Sequence, residues 1–102
     1  MYAVLRLNSF DPDKLAVSGQ GLEQFNEVHA AQAGYLGSVV VDIGGGRHFA
    51  LNLWESAEHS AAALFVLGPE IGRLLGPLMA KPSELIGAGT VISSDLAPSR
   101  DQ

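Results

Sequence analysis

The stretch Ser38-Val39-Val40-Val41-Asp42-Ile43-Gly44-Gly45-Gly46-Arg47-His48-Phe49-Ala50-Leu51-Asn52-Leu53-Trp54 decides the fold. Its first six residues are a β-branched run, the composition of a strand. Three glycines follow, and a tight reversal needs backbone with positive φ, which glycine adopts without cost to a Cβ. Arg47 to Trp54 then alternates, with Phe49, Leu51 and Leu53 on one parity and His48, Ala50, Asn52 and Trp54 on the other. The stretch reads as an antiparallel hairpin.

Toward the N-terminus, Tyr2 to Asn8 alternates again and reads as strand one. Asp11-Pro12 is a helix start, an Asp cap followed by Pro at the first helical position. Lys14 to Gln32 places Leu15, Leu22, Phe25 and His29 on roughly one stripe. Gly19 and Gly21 weaken its middle, so the first turns read as a separate short helix or an irregular piece. Gly34 is the C-terminal stop.

Toward the C-terminus, Ser56 caps a helix running to about Leu67, and Gly68-Pro69 reads as a break. Ile71, Leu74, Leu75, Leu78 and Met79 continue a helical stripe. Lys81-Pro82-Ser83 reads as a loop, and Leu85 to Leu96 contains strand four, centred on Thr90-Val91-Ile92. Ala97 to Gln102 is a polar, frayed tail.

The order β-α-β, β-α-β with a hairpin at the join is the ferredoxin-like split βαβ of the α+β class. It predicts a four-stranded antiparallel sheet with both helices on one face. One domain over residues 1–96 and a tail over 97–102 follow. The strands carry apolar residues on both parities, so the face without helices needs a cover. A homodimer through sheet-to-sheet packing is the expected one.

Composition agrees. The 102 residues are 47% hydrophobic and only 17% charged, with no cysteine. Mean hydropathy is +0.20. The six basic residues form no run against eleven acidic ones, which argues against nucleic acid and against an anionic membrane surface. The longest apolar run, Ala61 to Gly68, falls short of the ~20 residues of a membrane span, and the first residues lack a signal-peptide pattern. A reducing, cytoplasmic setting is expected from the absent cysteines.

The polar residues of strands one and three share one parity. Arg6, Asn8 and Asn52 lie there with Tyr2, His48 and Trp54. Buried amides and a guanidinium need partners. They either line a wet pocket or pair across a dimer, with Asp42 as one partner. Trp54 reads as a packing anchor whose indole N–H bonds a backbone carbonyl, or as an aromatic wall for a planar ligand. Of the three histidines, His48 is a base beside Asn52 and Trp54 or a rim residue at the hairpin. His59 sits in the first turn of a helix, where the dipole disfavours the imidazolium; it is a neutral base or a solvated residue. His29 faces a pocket or is a hydrogen-bonded core histidine. Glu55 and His59 are spaced i, i+4, but a metal site needs about three ligands, and none is expected. The glycine triplet precedes a strand rather than a helix, which excludes a phosphate loop.

Gly34-Tyr35-Leu36-Gly37-Ser38 before strand two, Leu53-Trp54-Glu55-Ser56 ending strand three, and a helix with a Pro-containing second half together resemble the antibiotic-biosynthesis-monooxygenase group of the dimeric α+β barrels. The resemblance implies a homodimer whose sheets close into a barrel, with a pocket in each subunit between sheet and helices. It implies oxidation of small hydroxylated or quinol-type aromatics by molecular oxygen, with no metal or other cofactor. Asn52 and Trp54 resemble the Asn and Trp that line such pockets. A haem-degrading branch places a Trp and a His on the second helix, where this chain has Ala61, Ala62 and Ala63, so that activity is not expected. His48, His59 and Asn52 are the catalytic candidates. Trp54, Asn8, Arg6, His29 and Tyr35 are the candidates for binding an aromatic ligand. Two other readings stay open: a non-catalytic small-molecule-binding or stress-associated dimer, and an isomerase or decarboxylase of a cyclic acid whose carboxylate is held by Arg6 or Arg73.

Overall fold

A computed structural model describes residues 1–17 and 20–95. The expected polar tail, from Ala97 onward, lies outside the described residues. The elements are β1 (Tyr2–Phe10), α1 (Pro12–Val17), α2 (Gln20–Ala30), β2 (Tyr35–Gly44), β3 (Arg47–Trp54), α3 (Ala57–Glu70) and β4 (Met79–Thr90). A π turn (Ile71–Leu75) and a 3-10 turn (Gly76–Leu78) join α3 to β4. The strands form one antiparallel sheet in the order β2-β3-β1-β4, the ferredoxin-like arrangement.

Local chemistry places the boundaries. Asp11 Oδ1 accepts hydrogen bonds from the Asp13 and Lys14 amides at 3.0 and 3.4 Å and so starts α1 at Pro12. Ser56 is extended (φ −153°, ψ 166°), and its hydroxyl accepts from the His59 amide at 3.1 Å, which starts α3. Gly45 and Gly46 turn the β2–β3 hairpin with φ of 67° and 80°, as a two-residue turn with both central residues left-handed requires.

Three readings of the sequence are corrected. Gly68-Pro69 does not break the helix, because α3 runs through it to Glu70. Pro69 has no N–H for the carbonyl four residues back, and the wider turn at Ile71–Leu75 follows directly. The helical segment 57–78 is therefore long and apolar enough, by length and composition alone, to cross a membrane. Yet it contributes Ala63, Leu67, Leu74, Leu75 and Leu78 to the protein's buried set. Strand four begins and ends earlier than expected, and Lys81-Pro82-Ser83 lies within it rather than in a loop. Pro82 is tolerated because β4 is an edge strand, paired only with β1.

Two apolar clusters tie helices to sheet. Phe10, Leu75 and Leu78 pack with Leu15, Leu22, Phe25, Ile71 and Met79. Trp54, Ala63 and Leu67 pack with Tyr2, Val4, Phe25, Val28 and Tyr35. Phe25 belongs to both margins, so α2 bridges them. The opposite sheet face carries Val39, Val41 and Ile43, all exposed, and none of the described helices lies over it.

Candidate functional site

Between the two clusters lies a cavity of about 490 Å³. That is within the range of small-molecule sites. Its floor is the polar parity of the sheet, including Arg6, Asn8, His48, Asn52 and Trp54; α2, α3 and the π turn supply the roof. The polar residues of strands one and three thus face the helices and line a pocket. Arg6 meets Ser83 of its own chain, while the Asp42 carboxylate accepts from the Gly44 amide at 2.9 Å.

One flank is aromatic. The His29 ring, in the last turn of α2, lies 4.8 Å from Tyr35, 5.5 Å from Trp54 and 5.6 Å from Phe25, centroid to centroid. Tyr35 meets Trp54 edge-on at 5.5 Å. His29 is 8% exposed and Trp54 2%. Burial pushes the His29 imidazole below its ordinary pKa, so the ring is held neutral. Among the described residues, neither the His29 ring nitrogens nor the Trp54 indole N–H has a hydrogen-bond partner. Of the two readings of Trp54, the bond from its indole to a backbone carbonyl is not found among the described residues, and the aromatic-wall reading remains. Buried polar atoms are paired in most proteins, so two unpaired ones lining one cavity mark where a bound molecule would supply partners.

Beside them runs a relay. Ser38 Oγ donates to Asn52 Oδ1 at 2.7 Å, so the Tyr35 hydroxyl, also 2.7 Å away, donates to Ser38. With its oxygen occupied, Asn52 keeps both amide N–H groups for a ligand. Tyr35 reaches this face because the β2–β3 register shifts between Tyr35 and Gly37. That bulge puts an odd-numbered residue on the even-numbered face.

The candidate residues separate. Arg6, Asn8, His29, Tyr35, His48, Asn52 and Trp54 all line the cavity. His48 stands opposite Asn8 with its ring 5.0 Å from Phe10, away from the aromatic flank. His59 does not line it. Its Nδ1 pairs with Ser56 Oγ at 2.7 Å, and its ring covers Gly34, where φ is 81° and any Cβ would collide with it. The Gly34 carbonyl accepts from the Glu55 amide at 2.8 Å. His59 thus fastens the start of α3 to the turn before β2, which fixes the paired Tyr35 and Trp54. Among the described residues, no group of three or more His, Asp or Glu could hold a metal ion.

Ser38 and Ser83 were not legible as site residues. Ser38 shares the parity of Val40, which was available from the sequence. Ser83 was hidden by the reading of its segment as a loop.

No family model matches the sequence, and no curated protein matches it. Solved structures do. A protein of unknown function from Nitrosomonas europaea superposes with a TM-score of 0.74 at 12% identity, covering 93% of this chain and 92% of that one. SnoaB, a cofactor-independent oxygenase from Streptomyces nogalater, gives 0.73 at 15% identity, with 93% and 96% covered. A protein from Caulobacter crescentus described as a candidate antibiotic biosynthesis monooxygenase gives 0.71 at 18%, with 90% of each chain covered. The chain has the fold of antibiotic-biosynthesis-monooxygenase-like proteins, and likeness at these identities speaks to the fold alone.

Proposed function

We propose, from the monooxygenase-like fold and the aromatic flank of its cavity, that the protein oxidises small hydroxylated, quinol- or anthrone-type aromatics with molecular oxygen and no cofactor. The observation that carries this reading is the buried, neutral, unpartnered imidazole of His29 beside Tyr35 and Trp54. A neutral imidazole accepts a phenolic proton. The Asn52 amide, fixed by Ser38, donates to the oxyanion that forms. For an anthrone, the anion gives electrons to oxygen and a carbon–oxygen bond forms. The hydroperoxide then loses water to leave a ketone, so one CH₂ and one O₂ become one C=O and one H₂O. Trp54 and Phe25 hold the planar ring and exclude bulk water. His48 lines the other end of the cavity, and His59 acts on the site only through Gly34 and Ser56.

The exposed apolar sheet face supports a homodimer closed sheet to sheet, and the cysteine-free chain supports a cytoplasmic setting. Oxygen-electrode assays with hydroquinones and anthrones test the activity. Uptake that depends on protein and stops in Asn52→Leu is expected. No uptake at saturating substrate overturns it, and ligand-induced thermal stabilisation without turnover would mark a binding protein of the same fold.

A further inference from the structure

The Arg6 guanidinium lies in this cavity with almost nothing to bind. Among the described residues its one hydrogen bond is a long one, 3.4 Å from Nη1 to Ser83 Oγ. A guanidinium has five donors and stays charged at any physiological pH. Among the described residues the only ion pair is between Arg73 and Glu70, so no carboxylate lies within 4.0 Å of Arg6. None of the cavity-lining residues is acidic, although the chain has eleven Asp and Glu against six Lys and Arg. An acidic protein thus keeps every described carboxylate off its cavity wall and places one fixed cation on it.

Position separates this cation from the chemistry proposed at His29 and Asn52. Arg6 stands on β1 between Ala50 of β3 and Leu85 of β4 and reaches toward Ser83 on the β4 edge. Asn52 instead bonds to Ser38 on β2, the opposite edge strand. Three strand spacings separate Ser38 from Ser83, about 14 Å across the sheet. Val4, Ala50 and Leu85 form the apolar floor between the two polar flanks. Arg73, the other basic candidate, is held by both Glu70 oxygens at 2.7 and 2.9 Å and lies outside the cavity.

We infer that Arg6, with Ser83 and the neighbouring Asn8, forms a carboxylate subsite, and that the ligand is an aromatic acid whose carboxylate sits at the β4 flank while its hydroxylated ring reaches His29 and Asn52. This rests on the reading of the cavity as the ligand site and adds a required charge to the substrate class. A guanidinium–carboxylate pair in a partly dry cavity favours the acid over its uncharged ester by about 10- to 100-fold.

Calorimetric titration with 6-hydroxy-2-naphthoate, whose hydroxyl and carboxylate stand at opposite ends of the ring system, and with its methyl ester tests it, because binding is read without turnover. Wild type is expected to prefer the acid by at least about tenfold. Arg6→Gln brings the acid-to-ester ratio near one, and Arg6→Lys keeps part of the preference, with folding of each variant checked by thermal unfolding. A wild type that binds both equally or neither, or an Arg6→Gln variant that keeps the full preference, overturns the subsite. Oxygen uptake on uncharged quinols is measured separately, so failure of the oxygenase reading leaves this result interpretable.

Discussion

The His29 and Tyr35 rings lie 4.8 Å apart between centroids at 49°, which joins a neutral buried imidazole to the hydroxyl chain running through Ser38 to Asn52. Base and oxyanion donor thereby meet at one flank, though they come from α2 and β3.

Replacing His29 by Phe keeps the aromatic packing and removes the base. Oxygen uptake should fall by about 10²- to 10⁴-fold while the variant stays folded by near-ultraviolet circular dichroism. The same residue sets a pH dependence. Its folded pKa is lowered, so as pH falls below about 6.5 the unfolded chain takes up the proton first. The melting temperature should therefore decline on acidification through that window, and the His29 part of the decline should vanish in His29→Phe. Activity should extend to lower pH than an ordinary imidazole base would allow, because burial lowers the folded pKa of His29.

Asn52→Leu removes the amide donors at similar volume. A loss of about 10²- to 10³-fold in kcat is expected, the usual cost of an oxyanion donor. Ser38→Ala frees the Asn52 oxygen and the Tyr35 hydroxyl without removing either. It should lower kcat less than Asn52→Leu does, with little change in melting temperature, since Ser38 is solvent-exposed.

Gly34→Ala puts a Cβ where φ is 81° and drives it into the His59 ring. The left-handed backbone alone costs about 1–2 kcal/mol for a non-glycine residue. Chemical denaturation should show at least that loss, and His59→Ala in the same chain should recover part of it. An unchanged midpoint for Gly34→Ala would count against the contact.

The uncovered sheet face predicts a dimer of twice the 10.7 kDa chain mass in light scattering. Val41 is 49% exposed in the single chain, so Val41→Glu disturbs no core of its own. It should shift the population to monomer without lowering the chain's helix content.

The sequence by itself determined the element order, the hairpin, both helix caps and the parity carrying Arg6, Asn8, Asn52 and Trp54. Those features are local, written by β-branched runs, by glycines at a turn, and by Asp and Ser side chains that satisfy nearby amides. Strand four, Ser83 within it and the passage of α3 through Pro69 were decided by tertiary structure. An edge strand accepts a proline because its outer side makes no ladder bonds, and packing of Leu74, Leu75 and Leu78 carries the helix past a residue that local propensity would stop at. The roles of the three histidines were also undecidable from spacing. Only the folded chain places His29 among buried aromatic rings, His48 beside Phe10, and His59 over Gly34, because burial and partners belong to the surroundings of a side chain and not to its place along the sequence.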